Sequence, residues 1–315
     1  MKEAMFDVVN ITAALFLLMA AGFAMAKYGW MGPKVADFIA KLVTKVALPA
    51  MIVSNFFQNF DREKLLGSLS NLYIPILVMA ICMGVGFVLA WVLRVEKPRR
   101  GMFASMAGFS NTVFLGLPIV IALFGEEYQA IALYYYLGNT LLFWTVGVYA
   151  IAAGRDGEKV PWRTRLARLF PPPIITAIVV GVLIYFRVPL PAFAAKASAY
   201  LGSLTTPLPM LFIGYTLYTA FQKGLRWERG MGGLLIMRLL AAPALVFGLC
   251  LLLRTPADMT MIFMILAAMP VMSQTPMVAR MVGADEGYAA AATALTTLVC
   301  LGALPLLRAF QVYYF

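Results

Sequence analysis

Histidine is absent from the 315 residues, which removes a His-dependent catalytic triad, a His-ligated metal and a histidine proton relay together. Charge is scarce too: 12% of residues are Asp, Glu, Lys or Arg, about half the share of a typical soluble domain. No Asp or Glu lies near the centre of an apolar run; Asp37, Asp258, Asp285 and Glu286 all sit close to run ends. Membrane carboxylates commonly neutralise transported cations or relay protons, so this lack argues against a cation/proton antiporter built on paired carboxylates. The three cysteines, Cys82, Cys250 and Cys300, each lie inside an apolar run without a partner at metal-ligand or disulfide-framework spacing, and read as small hydrophobes. No Walker-type Gly-Lys-Ser/Thr follows a strand pattern, so Gly84-x-Gly86, Gly232-Gly233 and the Ala289–Ala294 run read as close-packing surfaces. With neither a nucleophile–base pair nor a metal cluster, an enzyme is not expected.

What the chain has in abundance is apolar length. Hydrophobic residues make up 63% of it, in continuous runs of about 20 residues, each long enough to cross a ~30 Å hydrocarbon core as a helix. Strand-like alternation is missing, which excludes a membrane barrel. Charged or Pro/Gly-marked breaks place spans near 8–27, 35–59, 68–94, 101–124 and 128–153, then near 171–187, 196–221, 230–253, 258–282 and 286–311. The first run ends in a signal-like Ala24-Met25-Ala26, but its length and the following Lys27 and Lys34 read as an uncleaved span.

The net charge of +11 belongs to loops between runs, not to one soluble face, so topology explains it better than nucleic acid. Ten spans put both termini on one side. The Lys and Arg residues of the loops from Lys27 and Lys34, through Arg94–Arg100 and Arg155–Arg168, to Lys223–Arg229 and Arg280 outnumber those of the opposite face. That bias sets the richer face in the cytoplasm and both termini outside; the basic, Trp-containing loop within 154–170 reads as a tether on anionic headgroups.

Five spans per half reverse the orientation of the second half, giving two inverted repeats, 1–153 and 171–315, joined by the 154–170 loop. Internal likeness supports this: Leu48-Pro49 recurs as Leu208-Pro209, and Ser110-Asn111-Thr112 in the fourth span recurs as Ser273-Gln274-Thr275 in the ninth. Both triplets sit among helix breakers, Gly116 and Pro118 in one case, Pro270 and Pro276 in the other. Proline removes a hydrogen bond and clashes with the preceding turn, so both spans should unwind, and non-helical backbone at this depth must be buried in protein or line a wet cavity. The freed amide ends suit a carboxylate, with hydroxyl and amide side chains completing its hydrogen bonds; two ordinary kinks with polar groups bonding neighbouring helices are the bland alternative.

The pattern Asn111-x-x-x-x-Gly116-x-Pro118, the Leu-Pro of the second span and the Pro-x-x-x-x-x-Pro of the ninth resemble the auxin efflux carrier family. That family includes bacterial malonate and malate permeases and plant PIN-type carriers, and is related to sodium/bile acid symporters. The resemblance implies an all-α integral membrane protein of ten transmembrane helices whose broken fourth and ninth helices cross. It implies a scaffold of the first, second, sixth and seventh spans (8–59 and 171–221) and a transport domain at 68–153 and 230–311. It also maps substrate-binding amides onto Asn111, Gln274 and Asn139, where Gln274 stands in place of the family's asparagine; Asn139 reads equally as an interhelical hydrogen-bonding residue.

Three basic residues lie deeper than the rest, Lys41 and, further in, Lys45 and Arg238. Asp37, Lys41 and Lys45 share a helix face at i, i+4, i+8, and Lys45 and Arg238 are candidates either for attracting an anion or for snorkelling to the cytoplasmic face. The expected function is a secondary carrier for a small organic anion, a mono- or dicarboxylate such as malonate or malate, or an auxin-like acid. It would sit in a bacterial inner membrane, without a bound cofactor or metal, with sodium or proton coupling left open, and as a form that allows a homodimer through the scaffold helices. The rival readings are a sodium-coupled symporter of the bile acid type, whose ion would bind freed carbonyls, and a channel.

Overall fold

The computed structural model describes residues 2–125, 128–153, 172–222 and 227–314; the expected cytoplasmic loop at 154–170 lies outside them. Nearly all the described residues are helical, and the strand-like pairing among them is one isolated antiparallel bridge between Ser110 and Val271. The helices are α1 (Lys2–Lys27), α2 (Pro33–Leu42), α3 (Leu48–Asn59), α4 (Arg62–Asn71), α5 (Tyr73–Val92), α6 (Lys97–Gly108), α7 (Leu117–Phe124), α8 (Gln129–Leu142) and α9 (Val148–Ala152) in the first half. In the second half they are α10 (Pro172–Tyr185), α11 (Ala192–Ser203), α12 (Pro207–Gln222), α13 (Met231–Ile236), α14 (Ala242–Leu252), α15 (Ala257–Ala268), α16 (Thr275–Val282) and α17 (Glu286–Tyr314).

Four wide π-turns, at Val43–Ala47, Thr112–Gly116, Phe143–Gly147 and Met237–Ala241, precede α3, α7, α9 and α14. Three of them end two residues before a proline, Pro49, Pro118 and Pro243. Proline donates no hydrogen bond and its ring strikes the carbonyl four residues back; the wider turn, with Leu48 N–H bonded to Val43 O and Ala242 N–H to Met237 O, shifts that carbonyl out of register. α2–α3 and α13–α14 therefore run on as continuous helices through their prolines. The second Leu-Pro behaves differently: Leu208-Pro209 follows Pro207 in the first turn of α12, and the expected seventh span is split at Leu204–Thr206 into α11 and α12. A proline early in a helix costs little, and the residue before it is pushed out of helical geometry.

The third span also starts later than expected, at Tyr73. Asp61 caps a separate helix, α4, by accepting from the Lys64 amide at 2.7 Å, as short polar N-caps do. Two described stretches, Tyr73–Val92 and Met231–Leu252, are each long and apolar enough to cross a membrane unaided. Large apolar side chains such as Leu17, Trp91, Phe193 and Leu252 are more than two-thirds exposed, an apolar surface that water would not tolerate over such an extent.

α1 packs along α12, where Gly22 and Gly214 meet each other's partner backbone so closely that a Cβ would lie about 2 Å from the Leu211 or Met19 carbonyl oxygen. α3 packs on α10 and α11. On the other side, α5 packs on α6, α8 and α14, α15 on α14 and α8, and α16 on α17. The two broken helices lie inside this second group.

Candidate functional site

α6 ends at Gly108 because Phe109 turns extended (φ −114, ψ 133), and α15 ends at Ala268 because Met269 does the same (φ −61, ψ 152). The two extended segments then cross antiparallel: the Asn111 amide donates to Pro270 O at 2.8 Å beside the Ser110–Val271 bridge. Pro270, which has no amide of its own, thus supplies the acceptor, while Pro276 sits at the start of α16, where a missing N–H costs nothing, and Pro118 follows the wide turn Thr112–Gly116 into α7. Gly116 lets this happen at close quarters, since a Cβ there would come 2.7 Å from the Leu266 side chain.

The crossing brings together the residues that the sequence singled out. Ser110, Asn111, Thr112, Asn139, Ser273, Gln274 and Thr275 are all buried within it. Asn139, from α8, accepts from the Ser110 amide at 3.2 Å and donates to Ser110 O at 3.0 Å and to Thr112 Oγ1 at 3.3 Å. Its amide thereby acts as a second neighbour for a segment already bridged to Val271 on its other edge. On the ninth span, Thr296 of α17 accepts from the Val271 amide at 3.2 Å. Among the described residues, Ser273 Oγ and Gln274 Oε1, by contrast, are buried without a hydrogen-bond partner, and Ser110 Oγ makes no full hydrogen bond although Tyr135 lies beside it. Most buried polar groups are satisfied; among the described residues seven buried side-chain atoms are not, and three of these, on Ser110, Ser273 and Gln274, lie at the crossing.

The two deepest basic residues part company. Lys45 is exposed, on the outer side of its π-turn, and does not reach the crossing; the Asp37 carboxylate bonds Arg280 of α16 instead of closing a ladder with Lys41. Arg238 is 1% exposed, so the snorkelling reading is corrected: its guanidinium points inward and donates to Met269 O (2.9 and 3.1 Å), Ala267 O (2.7 Å) and Ala107 O (3.0 Å). It thus spans the carbonyl ends of α6 and α15 at once.

Sequence reasoning missed three contributors: Thr296; Cys300, whose thiol lies 3.6 Å from Ala268 O; and Arg280. The last joins Asp37, Glu286 (2.8 Å) and Pro33 O (2.9 Å), and so ties α16 and α17 to the start of α2. Near the far end of the same second span lies a cavity of about 360 Å³ with almost wholly apolar walls, lined by Ile52, Phe56, Tyr136, Ile178 and Tyr185, with Thr140, next to Asn139, as its polar contact. Phe56 is nineteen residues beyond Asp37, about 28 Å at the helical rise. Arg280 thus links one end of that span to α16 and α17, and the cavity lies near the other.

A sequence model described as membrane transport protein matches residues 7–308. The chain belongs to that family, the auxin efflux carrier family of the sequence reading. It is therefore a transporter and an integral membrane protein. It is 26% identical over 305 residues to an uncharacterized transporter of Methanocaldococcus jannaschii, covering 93% of this chain and 95% of the relative. A second uncharacterized transporter, from Methanothermobacter thermautotrophicus, is 25% identical over 302 residues with the same coverage.

Proposed function

We propose that this transporter is a gradient-driven carrier for a small organic anion, not an enzyme, with the anion's carboxylate held at the crossing and its carbon body in the apolar cavity. The observation that carries the reading is the pair of buried, unfilled side chains, Ser273 and Gln274, at the amide end of α16 in a crossing without a carboxylate. Ser273 Oγ can donate to a carboxylate; the unfilled Gln274 atom, Oε1, is an acceptor, so Gln274 would donate through the Nε2 of the same amide, and helix amide ends favour negative charge. The apolar lining around Ile52, Phe56 and Tyr136 favours a monocarboxylate with an apolar body over a dicarboxylate such as malonate or malate.

The mechanism that fits is an elevator. Spans at 68–153 and 230–311 form the transport domain, moving against a scaffold of 8–59 and 171–221 that also suits a homodimer, the two halves being inverted repeats. With the basic loops cytoplasmic and both termini outside, the Arg280–Asp37 tie closes the cytoplasmic end and the cavity faces outward, in a bacterial inner membrane. Counterflow in proteoliposomes, preceded by a melting screen of purified protein against aromatic and aliphatic mono- and dicarboxylates, tests it. A monocarboxylate should raise the melting temperature and exchange saturably. Stabilisation by no anion, or linear non-saturating flux of the kind a channel gives, would overturn the reading.

A further inference from the structure

A helix ends in carbonyls that have no partner within it, and the aligned peptide dipoles place about half a negative charge there. Two such ends, those of α6 and α15, meet at the crossing. A single guanidinium lies across both, giving four hydrogen bonds to three carbonyl oxygens. Its charged and titratable surroundings are Tyr135 on α8, Cys82 on α5 and Cys300 on α17, all neutral when protonated, and among the described residues no carboxylate bonds it. Burying an unpaired charge costs several kcal/mol. About one negative charge from two converging dipole ends is what compensates it.

Backbone carbonyls converging on one point in a dry interior form the kind of cage in which a free monovalent cation binds. We propose that Arg238 is the resident cation of this crossing: its guanidinium fills the carbonyl cage, so that the carrier needs no sodium to hold the crossing together, and it leaves the amide ends as the uncompensated poles. Arg238 is in this sense a positioning residue that sets ion coupling and, resting on the anion-carrier reading for that part alone, the sign of the solute. The internal repeat strengthens the point. Offsets of 160 and 163 residues relate the Leu-Pro and Ser-amide-Thr pairs, and they set Arg238 against 78 and 75, within the uncharged Pro75-Ile76-Leu77-Val78. One arginine serves both halves.

The test needs no substrate. Melting of detergent-purified wild type is compared in sodium chloride and choline chloride at equal ionic strength, and Arg238→Ala and Arg238→Lys are melted with and without ~10 mM methylguanidinium. Wild type should melt alike in both salts, within about one degree. Arg238→Ala should melt several degrees lower and regain at least half of the loss with methylguanidinium but not with choline; a sodium response gained by Arg238→Ala and absent from wild type supports the cage equally. Arg238→Lys, which keeps the charge but not the planar fork, should fall between. Sodium-specific stabilisation of wild type overturns the proposal. So does an Arg238→Ala that matches wild type, or one that neither methylguanidinium nor sodium recovers. Because no arm contains an organic anion and chloride is the same in all of them, failure of the anion-carrier reading would leave these results standing.

Discussion

The fourth and ninth spans break at the same triplet, hydroxyl–amide–hydroxyl, yet their surroundings treat the two breaks differently. At the fourth, Asn139 satisfies both backbone groups of Ser110 and the Thr112 hydroxyl, and the chain re-enters helix through a wide turn in which the Gly116 amide bonds Asn111 O at 3.0 Å. At the ninth, the tenth span reaches only the flanks: Thr296 holds the Val271 amide and Cys300 faces Ala268 O. Among the described residues neither Ser273 Oγ nor Gln274 Oε1 has a hydrogen-bond partner, and the two breaks share an unfilled serine hydroxyl, Ser110 Oγ in the fourth, so the difference lies in the amide. Symmetry of sequence thus goes with unequal surroundings, one break framed by Asn139 and the other with its amide side chain unfilled; in the function proposed above, the second is the one that takes the ligand.

The sharpest way to break that comparison is Asn139→Ala. It would strand a buried N–H and a buried C=O, each worth about 1–3 kcal/mol when left unmade, so the ligand-free protein should melt markedly lower in detergent and the folded yield should drop. A variant that melts with wild type would mean that the fourth break is no more a frame than the ninth. Gln274→Ala should do the opposite. It deletes a group whose Oε1 nothing among the described residues satisfies, so melting without ligand should hold or rise slightly. Binding of the stabilising carboxylate should weaken by about tenfold or more, the loss expected of one hydrogen bond to a charged partner at about 1.5–3 kcal/mol. Equal binding in wild type and Gln274→Ala would remove the ninth break from the site.

Much of this was legible in the sequence. The helical stretches fall near the expected spans, and the triplets at 110–112 and 273–275 do meet, because breakers inside apolar runs leave few options in a medium that tolerates no unpaired backbone. What could not be read was which side of a helix a polar residue faces. Lys45 and Arg238 look alike on paper, each inside a π-turn ahead of a proline, yet one side chain points out and the other spans two helix ends. The difference is made by neighbours distant in sequence, the carbonyls of Ala107, Ala267 and Met269. Thr293-x-x-Thr296-Thr297 in the tenth span was a visible hint. All three threonines bond back to carbonyls three or four residues earlier, the ordinary fate of threonine in an apolar helix, and nothing local distinguishes the one that also braces Val271.

Thr296→Val therefore offers a calibrated intermediate. It keeps the shape and removes one acceptor from a buried amide, so it should cost about 1 kcal/mol, visible as a melting shift smaller than that of Asn139→Ala, with binding changed less than by Gln274→Ala. A shift as large as that of Asn139→Ala would show the ninth break to be framed as firmly as the fourth.

The smallest effect is expected where, in the elevator proposed above, the moving and fixed helices would touch at the closed end. Arg280 bonds Asp37, whose side chain is half exposed, and pairs of that kind contribute only about 0–1 kcal/mol, too little to move a melting curve. The pair matters only through the balance between closed and open forms, and there 1 kcal/mol changes a ratio about fivefold. Thr44 is the place to read it, since its hydroxyl lies 3.6 Å from Met281 Sδ across the contact between the second and ninth spans. A cysteine placed by Thr44→Cys in a background lacking the three native cysteines should react slowly with a water-soluble maleimide, and Asp37→Asn should speed that reaction several-fold. High salt should act in the same direction on the parent and add little to the variant. Labelling rates unmoved by either change would mean that the closed end is held by packing alone, and that the comparison between a fixed and an open break does not extend to a tie that must be undone.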